Sequence, residues 1–294
     1  MKNKNWACLS SFILKLIAFI TMTFDHVGWA LQNFIGENYI VAIIFRCIGR
    51  IALPLFCFMI AEGMVHSKNK GNYLLRLGIM ATLIAGAQVF VEYMPWFNGF
   101  SLRLEGNIFI DLLLGGLGVY LLDNKNKYIR PLAVIPFAIS VASFFARCLE
   151  QEGTMIIHWY PFFLRCQYHF YSVGMIMSFY LGKYLKNLFI KQYSNNSGIP
   201  VESIEGTMIE RYAANLISMG ILIFWTLIFL IVAFALPAEW LYWNPLSQTL
   251  AILSGAFILL YSGRRGYNAK WFKYGSYFYY PLHIIVIFGI SLLF

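Results

Sequence analysis

Charged side chains are scarce in this sequence. Only 12% of its 294 residues are Asp, Glu, Lys or Arg, about half of the roughly 25% that a soluble domain carries. Hydrophobic residues make up 60% of the chain, and several windows of about 20 residues are almost wholly apolar. A soluble helical protein needs more polar faces than this chain offers. The composition therefore predicts an all-α, polytopic integral membrane helical bundle.

Acidic residues are scarcer still, with 13 Asp and Glu against 22 Lys and Arg, for a formal net charge of +9. Such a balance is also typical of proteins that bind nucleic acid. Here the basic residues fall in short segments between apolar runs, which membrane topology explains without a polyanion. We therefore expect a multi-pass protein with the lipid bilayer as its surroundings and no nucleic-acid partner.

Nine apolar segments are long enough to cross a bilayer. We predict transmembrane helices over roughly 11–31, 39–63, 73–94, 107–122, 131–148, 166–182, 213–236, 247–262 and 275–293. If these spans alternate, basic residues dominate the loops on one side and acidic residues those on the other. The positive-inside rule then places the N-terminus in the cytosol and the C-terminus outside.

We expect a single transmembrane domain over 1–294, with a cytosolic linker at 183–212 and an outer loop or lid at 149–165. The first apolar run follows a basic N-terminus and lacks a small-residue cleavage site. It is therefore expected to be a membrane anchor rather than a removable signal peptide.

Cysteine and histidine are few, with five of each. They are scattered, and no spacing is typical of a ligand set, so no metal site is predicted. Cys148 and Cys166 bracket the predicted outer loop. A disulfide between them is possible only if their Cα atoms come within about 7 Å.

The first two spans carry ionisable residues at similar depth. At a rise of about 1.5 Å per residue, Asp25 and His26 lie about two-thirds of the way out along the first span. Arg46 and Arg50, one turn apart on the second span, share that depth band. Such groups are costly in a bilayer and mark functional sites. We predict a catalytic cluster in which His26 is a general base and Asp25 orients its ring. The alternative is an ion-pair network that only fixes helix packing.

Polar residues continue toward the cytosolic end of the second span. Pro54 is expected to loosen the helix below Arg50 by removing a backbone donor. Glu62 and His66, four residues apart, would then face the cytosolic mouth. On the fourth span, Asn107 and Asp111 either join the same cavity or make hydrogen bonds between helices.

Three segments carry a resemblance to a known family: LKLIAFITMTFDHVG followed by RCIGRIALPLFCFMIAEGMVHSKNKGNYLLRL, then NIFIDLLLGGLGVYLLD, and near the end YSGRRGYNAKW followed by YFYYPLHIIVI. The chain resembles the TraX family of membrane proteins, whose named activity is N-acetylation of conjugative pilin. The family is distantly similar to transmembrane acyltransferases. Bacterial cytoplasmic membrane is the implied location.

The resemblance implies an acetyltransferase that uses cytosolic acetyl-CoA as co-substrate. An amine, such as a pilin or peptide N-terminus, or a hydroxyl at the outer face would accept the acetyl group. His26, Asp25, Arg46 and Arg50 would be catalytic, with an arginine facing the developing oxyanion. A direct transfer and an acetyl-histidine intermediate are both compatible with this arrangement. Phosphates require cations, and the residues predicted to line the acetyl-CoA site are Glu62, His66, Arg76, Arg264, Arg265, His283, Asn107 and Asp111. For His283, a packed core histidine is an equal alternative.

Three other functions stay open. A transporter or flippase also carries charges at mid-membrane, although no inverted repeat is visible. An O-acyltransferase of an envelope glycan shares the chemistry and differs in the acceptor. A non-catalytic assembly protein would leave the buried Asp25–His26 pair without a role.

Overall fold

The computed structural model of the chain describes residues 7–36, 39–93, 106–151, 159–236 and 245–291. These residues are mostly helical. The helices are α1 Ser11–Ile35, α2 Ile40–Gly49, α3 Ala52–His66, α4 Lys70–Glu92, α5 Ile108–Leu122, α6 Val134–Gln151, α7 His169–Ser197, α8 Val201–Ile204, α9 Met208–Ala235, α10 Pro245–Gln248, α11 Ser254–Leu259 and α12 Lys270–Ser291. Short 3-10 helices occupy Arg130–Ala133, Phe162–Leu164 and Thr249–Leu253. Extended pairing in the described ranges is limited to one isolated bridge between Leu9 and Tyr261.

Five helical stretches are long and apolar enough to cross a membrane: Ser11–Ile35, Ile40–His66, Lys70–Val91, Arg130–Glu150 and Met208–Ala235. Two shorter apolar stretches, Ile108–Leu122 and Leu246–Leu259, accompany them. The protein is thus a multi-pass helical membrane bundle, as the composition predicted. The count of nine spans and the orientation stay predictions.

The second predicted span is interrupted rather than continuous. Helix α2 ends at Gly49 and α3 begins at Ala52. The amides of Arg50 and Ile51 bond to carbonyls three residues back, at 3.3 Å each, so the last turn tightens before the break. Pro54 has no N–H to donate to the Arg50 carbonyl, which is the helical partner four residues back. This accounts for the break at the position where loosening was expected.

The predicted linker at 183–212 is largely helical. Helix α7 continues to Ser197 and α9 begins at Met208, with the short α8 between them. The segment was predicted as a linker because its residues are polar, but polarity limits burial in lipid and does not prevent a helix. The first Gly and Pro after α7 are Gly198 and Pro200, and the helix ends there. Its cytosolic location stays a prediction.

The chain divides into two compact units. The first unit comprises Met1–Met59, Leu181–Leu227 and Leu246–Phe294, and the second comprises Ile60–Tyr180 and Ile228–Pro245. Each is described separately below. The expectation of a single domain over 1–294 stays a prediction.

In the first unit, a late segment of the chain holds the beginning of α1. The amides of Ser11 and Phe12 donate to the carbonyls of Arg264 and Arg265, at 2.8 and 3.1 Å. The Leu9 amide donates to the Leu260 carbonyl at 2.9 Å. The first amides of a helix have no partner inside it, so the 260–265 segment supplies the acceptors that α1 lacks.

In the second unit, small residues of α5 allow close packing against α7. A Cβ at Gly118 would lie 2.7 Å from the Met177 sulfur, and one at Gly115 would overlap the Ile176 side chain. At Gly115 the Ile176 Cβ itself would lie 2.9 Å away, so a side chain there would push the helices apart. The two helices are therefore held face to face along their apolar sides.

The predicted outer loop at 149–165 is described only in part, since 152–158 lie outside the described residues. Tyr160 is buried, and its hydroxyl donates to the carbonyls of Ile139 and Leu164 at 3.2 and 2.9 Å. Burial raises the pKa of Tyr160, which keeps the phenol protonated as a donor. Cys148 and Cys166 are both buried and both free thiols, so the structure contains no disulfide between them. The lid function stays a prediction.

Candidate functional site

The candidate site lies in the first unit, where α1 crosses α2 at very short range. A Cβ at Gly28 would lie 2.8 Å from the Ala42 carbonyl oxygen and 3.0 Å from the Arg46 amide nitrogen. Glycine at this crossing lets the two backbones approach. Asp25, almost one turn before Gly28, is thereby placed against the last turn of α2.

The Asp25 carboxylate binds two arginines, one with each oxygen. Its Oδ2 accepts a hydrogen bond from Nη1 of Arg46 at 2.7 Å, and its Oδ1 accepts one from Nη2 of Arg50. Nε of Arg50 also donates to the Arg46 carbonyl at 3.1 Å. The side chains of Asp25 and Arg50 are only 10% and 5% exposed, whereas Arg46 is 26% exposed. The predicted meeting of α1 and α2 through these charges is thus present in the structure.

Gln248 of α10 extends this network. Its Oε1 accepts from Nη1 of Arg50 at 3.4 Å. Its Nε2 is buried and has no hydrogen-bond partner among the residues that the structure describes, and the residue is 2% exposed. A buried amide N–H that lacks an acceptor costs about 1–3 kcal/mol. Nε2 of Gln248, beside the buried Arg50, is therefore suited to donate a hydrogen bond to an oxygen of a bound molecule.

His26 contacts a histidine rather than the adjacent aspartate. Its Nδ1 lies 2.5 Å from Nε2 of His283 on α12, and the two ring planes are inclined by 25° with centroids 4.8 Å apart. The structure differs here from the expectation that Asp25 would orient the ring. Consecutive residues of a helix point in different directions, and the Asp25 carboxylate is already bound to the two arginines.

Helix α12 is fixed against α1 by neighbours of the histidine pair. The Tyr279 and Thr23 hydroxyls are 2.6 Å apart, and the Tyr279 ring stacks on Phe19 at 4.5 Å. Tyr280 places its ring edge-to-face to both His26 and His283, at 5.9 and 5.7 Å. Helix α12 is therefore held against α1 by contacts of Tyr279 that do not involve the His26 ring, besides those of Tyr280 and His283 that do.

Two further residues of the predicted acetyl-CoA set lie in the first unit. Arg264 and Arg265 are exposed, and their backbone carbonyls accept from the start of α1. Their backbone thus has a structural role, while their exposed guanidinium groups can bind a ligand. His283 belongs to the histidine pair. That contact was not anticipated from the sequence.

The second unit holds the remaining predicted acetyl-CoA residues. Nδ1 of the exposed His66 is 2.9 Å from the Glu62 carbonyl oxygen and 3.8 Å from the Glu62 carboxylate. The Arg76 guanidinium lies over the Tyr73 ring, 5.6 Å from its centroid. The pairing of Glu62 with His66 follows from their spacing of four.

Asn107 and Asp111 have structural hydrogen bonds in the second unit. Asn107 caps α5 by accepting from the Phe109 amide at 3.0 Å, and its Nδ2 donates to the Ala81 carbonyl at 2.8 Å. Asp111 is fully buried and accepts from the amides of Gln167 and Tyr168, at 2.6 and 2.9 Å, and from the Ser172 hydroxyl. These contacts agree with the alternative of hydrogen bonding between helices. Their predicted part in acetyl-CoA binding stays a prediction.

Sequence reasoning missed Gln248. A polar side chain at the beginning of an apolar span was the available signal.

In the described ranges no group of three or more His, Cys, Asp or Glu side chains is arranged to hold a metal ion. The expectation of no metal stays a prediction.

The comparisons with known proteins give two relatives. The chain is 30% identical over 161 residues to a "probable fimbrial assembly protein FimC, serogroup H1" of Dichelobacter nodosus, covering 52% of this chain and 63% of that protein. It is 30% identical over 148 residues to the "uncharacterized protein RP591" of Rickettsia prowazekii (strain Madrid E), covering 50% and 46%. The chain thus spans less than two thirds of either relative, and no solved structure matches it.

A family model described as "TraX protein" matches residues 10–184, more than half of the chain. The matched range includes Asp25, His26, Arg46 and Arg50 and ends before Gln248 and His283. The likeness of the closing segment to the family therefore stays an expectation. On the match over 10–184, the chain belongs to the TraX family.

Proposed function

We propose that this protein is a membrane-embedded acetyltransferase that moves an acetyl group from cytosolic acetyl-CoA to an acceptor at the outer face. Membership of the TraX family supports this function, and the name of the Dichelobacter relative refers to fimbrial assembly. A pilin-like protein or peptide N-terminus is accordingly the favoured acceptor. A hydroxyl of an envelope glycan is the second acceptor class, since the same chemistry would serve it.

One observation carries the proposal: a half-buried imidazole beside a buried carboxylate–arginine network, on helices that are apolar enough to cross a membrane. His26 on α1 adjoins Asp25, which binds Arg46 and Arg50. Acyl transfer needs a base for the incoming nucleophile and donors for the oxyanion. Both kinds of group are present in the first unit.

The donors are available as well as close to the network. Within the described residues, only Nη1 of Arg46 makes side-chain hydrogen bonds, which leaves its Nε and Nη2. Nε2 of Gln248 is open in the same way. Donors that are fixed before the reaction stabilise a developing oxyanion without reorganisation. We assign this role to Arg46 and Gln248, and we assign to Arg50 the task of holding Asp25 and Gln248.

The transfer proceeds by addition and elimination. The neutral amine attacks the thioester carbonyl carbon, and a C–N bond forms while His26 takes the proton from nitrogen. The tetrahedral oxyanion accepts hydrogen bonds from Arg46 and Gln248. Its collapse breaks the C–S bond, and the departing thiolate takes the proton from His26. The products are the amide and free CoA, and His26 returns to its starting state. A hydroxyl acceptor gives an ester by the same steps.

The phosphates of acetyl-CoA need cations on the cytosolic side. In the first unit the basic residues of the predicted acetyl-CoA set with exposed side chains are Arg264 and Arg265. In the second unit the basic residues of that set are His66 and Arg76. We propose Arg264 and Arg265 as phosphate ligands, since each presents a guanidinium to solvent.

The test uses the purified full chain in nanodiscs with [14C]acetyl-CoA and a peptide bearing a free N-terminus. We expect CoA release and labelled peptide with wild type, and a loss of at least about 100-fold with His26→Gln. Arg46→Ala should lower turnover, whereas the exposed Lys68→Ala should not. Wild type that neither binds acetyl-CoA nor transfers its acetyl group would contradict the proposal and favour a transporter.

A further inference from the structure

Two hydrogen bonds define the protonation of the histidine pair. Nδ1 of His283 lies 2.7 Å from the backbone carbonyl oxygen of Tyr279. A carbonyl oxygen only accepts, so Nδ1 of His283 carries the hydrogen. In a neutral imidazole the other nitrogen, Nε2, then has a lone pair. A charged His283 would add a buried cation beside His26, at a substantial desolvation cost.

The hydrogen on His26 follows from this assignment. Nδ1 of His26 is 2.5 Å from Nε2 of His283, and two lone pairs cannot form a hydrogen bond. Nδ1 of His26 must therefore be the donor. The remaining nitrogen of neutral His26, Nε2, has the lone pair, and in the described part of the chain it is engaged in no hydrogen bond.

We infer that His283 is a positioning residue that holds His26 in its Nδ1–H tautomer and so makes Nε2 of His26 the basic nitrogen. Nδ1–H of His26 donates to Nε2 of His283, and Nδ1–H of His283 donates to the Tyr279 carbonyl. The catalytic consequence rests on the proposed function, whereas the tautomer is a property of the resting protein.

The pair takes the place that a carboxylate usually holds next to a catalytic histidine. When Nε2 of His26 accepts a proton, Nδ1–H continues to donate to the neutral Nε2 of His283. The positive charge of the His26 imidazolium is then stabilised by the lone pair on Nε2 of His283. The site therefore needs no buried carboxylate besides Asp25. Asp25 stays bound to Arg46 and Arg50 throughout.

A second hydrogen bond between α1 and α12 lies beside the histidine pair and does not involve His283. The His283 ring stacks on Tyr279 with centroids 5.1 Å apart, and the Tyr279 hydroxyl bonds to Thr23 of α1. Thr23–Tyr279 and His26–His283 are both side-chain hydrogen bonds between these two helices. Only the His26–His283 bond involves the proposed base. Removing the Thr23–Tyr279 bond is therefore a matched control.

The direct test is 15N NMR of the full chain labelled at histidine, in nanodiscs at a pH where His26 is neutral. The His26 signals are assigned by their loss in His26→Gln. We expect a protonated Nδ1 and an unprotonated Nε2 in wild type. In His283→Leu, which lacks an acceptor, His26 should lose this preference. In His283→Gln, whose amide oxygen replaces the acceptor, the preference should return. A His26 protonated at Nε2 in wild type would overturn the inference.

Activity variants test the consequence. His283→Leu should lower turnover by about tenfold or more, because the basic nitrogen faces the wrong way in part of the molecules. His283→Gln should regain much of that loss, and Thr23→Val should stay within about twofold of wild type. Equal losses in His283→Leu and Thr23→Val would reduce His283 to a packing role and overturn the inference. Should wild type show the expected tautomer and transfer no acetyl group, the proposed function fails and the tautomer assignment stands.

Discussion

Gly49 of α2 lies against the carboxylate of Asp25 on α1, with no room for a side chain between them. A Cβ at Gly49 would overlap both the Cβ and the carboxylate of Asp25. The pairing of Asp25 with Arg46 and Arg50 therefore depends on a residue that contributes no functional group.

We predict that Gly49→Ala separates α1 from α2 and disrupts the ion pairs. Overpacking of this kind costs about 1–3 kcal/mol, and the displaced carboxylate adds to the loss. Thermal unfolding in detergent measures the effect. Gly220→Ala on α9 is the control, since no described atom outside its own helical backbone lies within 4 Å of its Cβ position and alanine favours a helix by about 1 kcal/mol. Equal stability of the two variants would contradict the packing argument.

Much of this arrangement could be predicted from the sequence. Hydropathy located the long helices because burial in lipid requires continuous apolar segments. Counting residues along two spans placed Asp25, Arg46 and Arg50 at one depth, and the ion pairs follow from that depth. Pro54 predicted the interruption because the missing donor is a property of the residue itself.

Other features were beyond sequence reasoning because they depend on tertiary packing. His26 and His283 are 257 positions apart, and no local pattern indicates which distant helix a side chain faces. Gln248 is the last residue of α10, and a 3-10 helix and α11 follow it in place of one regular helix. Helical periodicity therefore does not predict which face Gln248 occupies. The extension of α7 to Ser197 was missed because hydropathy reports burial rather than helix formation.

Gln248 gives a second prediction, in which stability and activity respond differently. Gln248→Met removes a weak 3.4 Å contact to Arg50 and also removes the unpaired Nε2. We expect a small change in melting temperature, because the two effects oppose each other. Turnover should fall by roughly 100-fold if Nε2 donates to the oxyanion.

The neighbouring Thr249→Val is the control for Gln248. Within the described ranges its hydroxyl donates to the Leu246 carbonyl and to no other group, so turnover should be unaffected. A Gln248→Met variant with normal turnover would show that Nε2 has no part in the reaction.

Asp111 gives a third prediction, on the stability of the second unit. Its carboxylate accepts three hydrogen bonds at the entry to α7. Asp111→Asn replaces one acceptor oxygen by a donor that faces an N–H or O–H group. We expect a loss of about 2–3 kcal/mol in unfolding free energy. Glu202→Gln, an exposed carboxylate, should change the same measurement little, and similar losses in both would contradict this role.

Cysteine labelling gives a fourth prediction, on orientation. Cys8 is exposed, whereas Cys148 and Cys166 are buried. With the N-terminus in the cytosol, a membrane-impermeant maleimide should label Cys8 in inside-out vesicles and not in right-side-out ones. Cys8→Ser should abolish that signal. Labelling of Cys8 in right-side-out vesicles would reverse the topology deduced from the basic loops.

The order of synthesis matters for the joint between the start of α1 and the 260–265 segment. The acceptors for Ser11 and Phe12 are the carbonyls of Arg264 and Arg265, which leave the ribosome some 250 residues later. The partner of His26 is made later still. The hydrogen bonds from the first amides of α1 to these two carbonyls therefore form only after the 260–265 segment has been made. A chain interrupted before α12 would lack His283, the residue that contacts Nδ1 of His26.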